Sequence, residues 1–178
     1  QSVGGSYRPL VGDFDANGKD DVLWYAAGRA ADHLWLSTGQ GTHRDVAVSI
    51  SGSYLPMVGD FDGDRADDVF WYAPGSGPDS VWFGGPGGAF DRRSTAVSGT
   101  YQPVVVDLEG DGRDDVLWYA PGTARDVWWR WAGDRTVGSS GIVADGSHQP
   151  VVGAFSAGGT DGVLWYAAGP TPDGVWWR

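Results

Sequence analysis

Short acidic loops carry the residues of this sequence that are best suited to bind a metal ion. In residues 59–72, aspartates occupy positions 1, 3, 5 and 9 of a loop that runs directly into an apolar segment. Alternate residues of a tight loop can point toward one centre, and Ca²⁺ prefers about six to eight hard oxygen ligands in such an arrangement. The predicted ligands are Asp60, Asp62, Asp64, the main-chain carbonyl of Ala66, and Asp68.

The same loop occurs twice more without an insertion or deletion. Residues 12–25 predict a site made by Asp13, Asp15, Asn17, the carbonyl of Lys19, and Asp21. Residues 106–119 predict a third site made by Asp107, Glu109, Asp111, the carbonyl of Arg113, and Asp115. Acidic turns are common on soluble proteins, but recurrence of one ligand pattern in register favours metal binding over that simpler interpretation.

Other metals suit these loops less well. Mg²⁺ prefers few carboxylates and retained waters, and Zn²⁺ prefers Cys and His, which are missing from the loops. Arg65 stands where the other loops have glycine for a sharp turn, so the second loop is expected to be strained or to turn differently. The aspartates at position 8 (Asp20, Asp67 and Asp114) are expected to hydrogen-bond across their own turns.

A fourth copy of the loop, residues 153–166, has lost its acidic ligands. Its ligand positions are Ala154, Ser156, Gly158, Thr160 and Gly162. We therefore expect three calcium sites and no metal in the fourth copy.

The loops belong to a repeat with a constant interval of 47 residues. Trp24, Trp71, Trp118 and Trp165 mark that interval. In the second copy, strands are predicted at 55–61, 68–73, 80–83 and 90–97, separated by glycine and proline turns. Four short strands in a repeat of this length are typical of a β-propeller blade, whereas the coils of a β-helix are much shorter. The prediction is an all-β, four-bladed repeat domain over residues 1–178.

The blade boundaries predict an incomplete last repeat. The repeats cover approximately residues 4–50, 51–97, 98–144 and 145–178, and the last one lacks room for a fourth strand. An open sheet edge is a liability that stable proteins avoid. We therefore expect either a longer protein or a homodimer in which two such chains close an eight-bladed propeller. A self-closed four-bladed ring is a further possibility.

Composition excludes several function classes. The chain has 178 residues, 30 glycines, 11 tryptophans, no cysteine and a formal charge of −11, so neither disulfides nor thiol chemistry is expected. Nucleic-acid binding is not expected, because there is one lysine and the arginines are dispersed. No segment has the length and apolarity of a membrane span, and no signal peptide is evident.

These motifs resemble the FG-GAP/VCBS repeat family, whose blades are similar to those of the integrin α-subunit propeller. The resemblance rests on the motif Asp-x-Asp-x-Asn/Asp-Gly-x-x-Asp, which is followed by an apolar strand. That strand ends in Ala-Pro-Gly, which is found at residues 73–75 and 120–122. It covers essentially the whole chain and implies structural calcium between the first two strands of blades one to three. It also implies a secreted or cell-surface setting.

Catalysis is not expected. Paired carboxylates can hydrolyse glycosides, but an active site is needed once and these acids recur in each blade. His33 and His43 occupy unrelated repeat positions, and His148 stands where other copies have Tyr, which favours a packing role. There is no phosphate loop, Ser-His-Asp order or zinc motif.

Tryptophans outside the repeat pattern suggest a binding surface. Most tryptophans recur in register and are expected in the core, whereas Trp128, Trp131 and Trp177 do not recur and are better candidates for exposure. Exposed Trp can stack on sugar rings. The prediction is a non-catalytic, lectin-like calcium-binding module. The alternatives are a structural or protein-interaction scaffold, or the accessory propeller of a larger secreted enzyme.

Overall fold

The chain folds into four antiparallel sheets, one for each sequence repeat. The structure is a computed structural model that describes residues 4–28, 31–144, 146–155, 160–170 and 173–176. Each of the first three sheets has four strands in sequence order, and the fourth has three. The strands are β1 Arg8–Gly12, β2 Asp21–Tyr25, β3 Asp32–Gly39, β4 Thr42–Val48, β5 Leu55–Gly59, β6 Asp68–Tyr72, β7 Asp79–Phe83, β8 Asp91–Thr95, β9 Gln102–Val106, β10 Asp115–Tyr119, β11 Asp126–Trp131, β12 Val137–Ile142, β13 Gln149–Gly153, β14 Gly162–Tyr166 and β15 Gly174–Trp176.

The strand register reproduces the sequence repeat. Pro9 lies opposite Trp24 across β1 and β2, and Pro150 lies opposite Trp165 across β13 and β14. Proline is tolerated on these first strands because an edge position does not require its missing N–H group. The acidic loop joins the first and second strands of each of the first three repeats, as predicted. Within the described residues, no helix is long and apolar enough to cross a membrane.

The described chain divides into two compact units. The first contains the chain up to Gly59 and Asp64–Ser98. In it, β1–β4 and β5–β8 pack against each other around Leu23, Leu34, Trp71 and other apolar side chains. The apolar run of β6 is buried on both faces, which is why its sequence does not alternate between apolar and polar residues.

The second unit contains Asp60–Gly63 and the chain from Gly99 onward. Its core lies between the sheets β9–β12 and β13–β15 and includes Val106, Leu117, Val163 and Trp165. The same combination of strand register and packing therefore occurs separately in both units.

A tyrosine from one sheet fixes its contact with the next sheet in the first unit. The Tyr25 ring lies 5.0 Å from the Trp71 ring. Its hydroxyl donates a hydrogen bond to the Gly52 carbonyl at 3.0 Å and accepts one from the Tyr54 N–H at 2.8 Å. We call this combination of Tyr–Trp packing and hydroxyl bonding a seam.

The second unit contains an equivalent seam. Tyr119 packs on Trp165 with ring centroids 4.9 Å apart. Its hydroxyl donates to the Gly146 carbonyl at 2.9 Å and accepts from the His148 N–H at 2.7 Å. His148 also packs edge-on against Trp165, in agreement with the packing role expected for this histidine.

Candidate metal centre

The first acidic loop gathers three carboxylates around one point. One oxygen each from Asp13, Asp15 and Asp21 lies within 4.8 Å of the other two. The loop follows β1 and ends in β2, so two paired strands fix both of its ends. Three anionic side chains this close repel one another unless a cation or proton compensates them.

Hydrogen bonds from the main chain hold two of these carboxylates in place. Asp13 accepts from the N–H groups of Asn17 and Gly18 at 2.9 and 2.7 Å. Asp21 accepts from Phe14 at 3.0 Å and from Ser37, at the end of the third strand, at 2.7 Å. These bonds preorganise the loop in the orientation seen here.

Asp15 supplies the oxygen that best fits a cation. Its Oδ1 is buried and accepts no hydrogen bond from any described residue. A buried carboxylate oxygen without a partner is costly, and it lies beside the oxygens of Asp13 and Asp21. This donor set, all hard oxygens, fits Ca²⁺.

Burial and the neighbouring carboxylates together raise the pKa of Asp21. Burial raises the pKa of this carboxyl above its ordinary value, and the negative charges of Asp15 and Asp13 raise it further, while the hydrogen bonds from Ser37 and Phe14 lower it. A bound divalent cation would reverse the effect of the neighbouring charges.

The remaining predicted ligands of the first loop have other partners. Asn17 Nδ2 donates to the Ser37 carbonyl at 3.2 Å. The Lys19 ammonium donates to both the carbonyl and Oδ1 of Asn17. Their roles as ligands, including that of the Lys19 carbonyl, stay predictions.

The second loop brings together a second group of three carboxylates, from Asp60, Asp62 and Asp68. An arginine from a different repeat also reaches this loop, because Arg135 Nε contacts Asp62 at 2.5 Å. Asp64 accepts from the Ala66 N–H at 2.8 Å. A cation here would compete with the guanidinium group for Asp62.

Arg65 adopts the conformation of the glycines that it replaces. Its φ is +77°, against +79° at Gly18 and Gly112. The second loop therefore makes the same turn as the other two, and its arginine occupies the left-handed region that disfavours a side chain. Of the two outcomes expected from sequence, the structure shows the strained residue and not a different turn.

The third loop is arranged differently. Asp107 accepts main-chain N–H groups from Gly110 and Gly112, and Asp111 pairs with the guanidinium group of Arg113. Over the described part of the chain, this loop forms no group of three carboxylates as close as those of the first two loops. The predicted third site, with Glu109 and the Arg113 carbonyl, stays a prediction.

Asp115 is held within the sheet. It accepts from Trp128 Nε1 at 3.0 Å and from the Trp131 N–H at 3.2 Å. Burial raises its pKa to about 6, against the lowering effect of these two bonds, and the charges of Glu109 and Asp111 contribute to the increase. This aspartate therefore serves the fold directly, whether or not it also binds metal.

The fourth loop can be compared only in part, since Ser156 and Gly158 lie outside the described residues. Ala154, Thr160 and Gly162 are described and offer no carboxylate. The expectation that this loop binds no metal stays a prediction.

Two of the three aspartates at position 8, Asp67 and Asp114, connect consecutive loops. Asp67 Oδ2 accepts from the Asp13 N–H at 2.7 Å, and the Asp67 N–H donates to the Asp13 carbonyl at 2.8 Å. Asp114 and Asp60 form the same pair of bonds at 3.0 and 2.8 Å. The sequence predicted bonds within one turn, whereas these partners lie in the loop of the preceding repeat.

The predicted exposure of two tryptophans is wrong. Trp128 and Trp131 are each only 6% exposed. The Trp128 indole donates to Asp115, and the Trp131 ring packs 5.6 Å from Phe61. Trp128 shares the buried face of β11 with Asp126, whereas Trp131 departs from this alternation at the end of the strand and is buried as well. Trp177 lies outside the described residues.

Sequence reasoning also missed a set of buried aspartates that recur every 47 residues. Asp32 accepts from the N–H groups of Ala26 and Ile50, each at 2.8 Å. Asp79 binds Ala73 and Val97 in the same way at 2.7 Å. Asp126 does so in the third repeat. Their constant spacing of 47 residues was a usable signal.

Comparison with known proteins identifies the repeat. The model of the FG-GAP-like repeat matches residues 13–71 and 60–118, which together cover more than half of the chain. The chain belongs to the FG-GAP-like repeat family. Its acidic loops are therefore FG-GAP-like loops, and the resemblance inferred from the motifs is confirmed. A comparison with curated proteins finds no match.

A solved structure shares the fold of this FG-GAP-like chain. It is that of an Agrocybe aegerita lectin, described as specifically recognising non-reducing terminal N-acetylglucosamine. The TM-score is 0.71 at 17% sequence identity, and the match covers 92% of this chain and 48% of the lectin chain. The chain thus spans about half the length of that protein. The all-β propeller fold class, with an incomplete last sheet, is confirmed.

Proposed function

We propose that this FG-GAP-like chain is a non-catalytic, calcium-stabilised binding module that acts outside the cell. The observation that carries the calcium proposal is the first loop, where the buried Asp15 oxygen without a hydrogen-bond donor lies beside Asp13 and Asp21. A bound calcium ion would neutralise these carboxylates and cross-link the loop between β1 and β2. The extracellular setting is supported by the family and by the millimolar calcium found there.

The size of the effect follows from mass action. If the dissociation constant were about 10 μM and free calcium about 1 mM, one site would stabilise the folded state by about 2.7 kcal/mol. Typical domains have a net stability of about 5–15 kcal/mol. Even a single occupied loop would therefore change the stability of the chain measurably.

Thermal unfolding in millimolar Ca²⁺ and in excess EDTA tests the proposal. The expected result is a fall in the melting temperature by several degrees on chelation, restored by Ca²⁺ and poorly by Mg²⁺. Calorimetric titration of the metal-free chain then counts the sites, and the first loop should be the tightest. Equal melting temperatures in Ca²⁺ and EDTA would contradict structural calcium binding.

Carbohydrate is the ligand class that we propose for the module. The support is the shared fold with a lectin whose described ligand is terminal N-acetylglucosamine. A glycan array probed with the calcium-loaded chain should give specific signals, with N-acetylglucosamine-terminated glycans examined first. An array without specific signals would favour the scaffold alternative, in which the blades bind protein or only support a neighbouring domain.

A further inference from the structure

An arginine of the third repeat pairs with one of the predicted metal ligands of the second loop. Arg135 Nε donates to Asp62 Oδ2 at 2.5 Å, and the Asp62 side chain is only 3% exposed. A carboxylate that is nearly buried is costly unless a positive charge or hydrogen-bond donors compensate it. The second loop therefore already holds one positive charge that belongs to the chain itself.

The turn between β11 and β12 presents Arg135 to this loop. Within the turn, the Arg135 N–H donates to the Ala132 carbonyl at 2.7 Å, and the Ala132 N–H donates to the Thr136 carbonyl at 2.9 Å. Trp131, the residue before the turn, packs its ring 5.6 Å from that of Phe61 in the loop. The guanidinium group is thus positioned by a hydrogen-bonded turn whose neighbour packs on the loop.

The first two repeats have glycine at the position of Arg135. The counterparts are Gly41 and Gly88, each with φ +73°, and Arg135 itself has φ +66°. The Gly88 N–H makes the same bond within its turn, to the Gly85 carbonyl at 3.0 Å. The third repeat therefore keeps the turn but places a side chain in a left-handed conformation, which is a strain that persists where surrounding contacts maintain it.

The first loop shows the same arrangement without an arginine. Asp15 is the counterpart of Asp62, and the matching turn residue is Gly88. It lies 73 residues after Asp15, which is the separation of the two partners in the ion pair of the second loop. Asp15 Oδ1 is buried and accepts no hydrogen bond from any described residue. The two loops thus differ in whether an arginine already compensates this carboxylate.

This difference changes what a calcium ion meets in each loop. In the second loop, a cation that displaces the guanidinium group must break a largely buried ion pair, which is costly. A cation that binds while the guanidinium group stays is repelled by its positive charge. Both routes lower the affinity of the second loop for calcium relative to that of the first.

We infer that Arg135 is an internal counter-ion of the second loop, which takes the place of a metal at Asp62 and sets the calcium affinity of this loop below that of the first. The inference rests on the calcium binding proposed above and adds its regulation. The first loop fills at low calcium concentration. The second loop fills only when calcium is concentrated enough to compete with the arginine.

Calorimetric titration of the metal-free 178-residue chain with CaCl₂ tests the inference. Arg135→Gln removes the charge and should raise the calcium affinity of the second loop at least about tenfold. Adding Asp62→Asn to this variant should abolish the gain, which assigns it to the second loop. Arg93→Gln is the matched control, because Arg93 pairs with Asp91 outside the acidic loops and both side chains are about half exposed. It should leave every calcium affinity unchanged.

Two further variants separate the charge of Arg135 from its effect on folding. Arg135→Gly restores the glycine of the first two repeats, which suits a φ of +66°, so it should fold and show the same gain in affinity. Arg135→Lys keeps the positive charge and should stay closer to wild type than to Arg135→Gln. Calcium binding in the first loop, with an unchanged affinity of the second loop in Arg135→Gln and Arg135→Gly, would overturn this inference alone. Absence of calcium binding in wild type and in all variants would overturn the calcium proposal as well.

Discussion

Asp15 is the residue at which the calcium proposal is most sharply testable. Replacing Asp15 with Asn removes one of three crowded negative charges and keeps the shape of the side chain. In EDTA the melting temperature should rise slightly, because Asp13 and Asp21 are then less strongly repelled. In Ca²⁺ the stabilisation should fall, because a charged ligand is lost. Thermal unfolding of the variant in EDTA and in Ca²⁺ tests both the expected rise in melting temperature and the expected loss of calcium stabilisation.

The exposed Asp20 provides the control for Asp15. It lies at position 8 of the same loop, outside the ligand series, so Asp20→Asn should leave the difference between the two buffers close to that of wild type. A loss of calcium stabilisation as large in Asp20→Asn as in Asp15→Asn would show that net charge matters and that the loop geometry does not.

At Gly18 the energetic cost of a left-handed backbone conformation can be measured without a steric contribution. Its φ is +79°, and a Cβ atom there would contact nothing within 4 Å. Gly18→Ala should therefore lower the free energy of unfolding by about 1 kcal/mol through strain alone. Gly138→Ala is the control, because that site is equally open but has no positive φ. Urea unfolding of both variants in EDTA measures the difference, and equal stabilities would contradict the strain argument.

At the scale of the strand, the buried aspartates tie together three segments of each of the first three sheets. Asp79 accepts the N–H groups of Ala73 and Val97, so Asp79→Ala would leave one half-buried and one buried donor without partners. Each orphaned donor costs about 1–3 kcal/mol, and a loss of about 2–5 kcal/mol is expected in urea unfolding. Asp173 is the exposed counterpart in the fourth repeat, and it accepts a hydrogen bond from the Ala167 N–H. Asp173→Ala should therefore lower the free energy of unfolding by clearly less. Equal losses would contradict the assigned role.

The positions of the strands and acidic loops were predictable from the sequence, because residues close together in the chain determine them. The interval of 47 residues and the turn residues located the four strands of the second repeat to within one or two residues of β5–β8. The acidic loops fell between the first two strands, as expected. These features depend on residues close in sequence, and one chain contains four comparable copies of them.

The contacts between repeats were not predictable in the same way. The burial of Trp128 depends on the sheet β13–β15, which packs over β11, and the ion pair of Asp62 depends on Arg135, 73 residues away. The residue pattern within one repeat reveals neither contact. Superposing the repeats would have helped, because Trp128 occupies the register of Leu34 and Val81, both core residues.

At the scale of the whole molecule, the seam tyrosines allow a test of how consecutive sheets are held together. The Tyr25 hydroxyl makes two hydrogen bonds to the following repeat, one donated to Gly52 and one accepted from Tyr54. Tyr25→Phe keeps the ring on Trp71 and removes only these bonds. The Gly52 carbonyl keeps its bond from the Gly28 N–H, whereas the half-buried Tyr54 N–H loses its partner, so the free energy of unfolding should fall by about 1–3 kcal/mol.

Tyr166→Phe makes the same chemical change at the exposed counterpart. Its cost should be close to zero, because water replaces whatever the 47% exposed side chain loses. Urea unfolding of Tyr25→Phe and Tyr166→Phe measures the difference between the two sites. A cost at Tyr166 as large as that at Tyr25 would mean that the loss in Tyr25→Phe does not come from its hydrogen bonds to the following repeat.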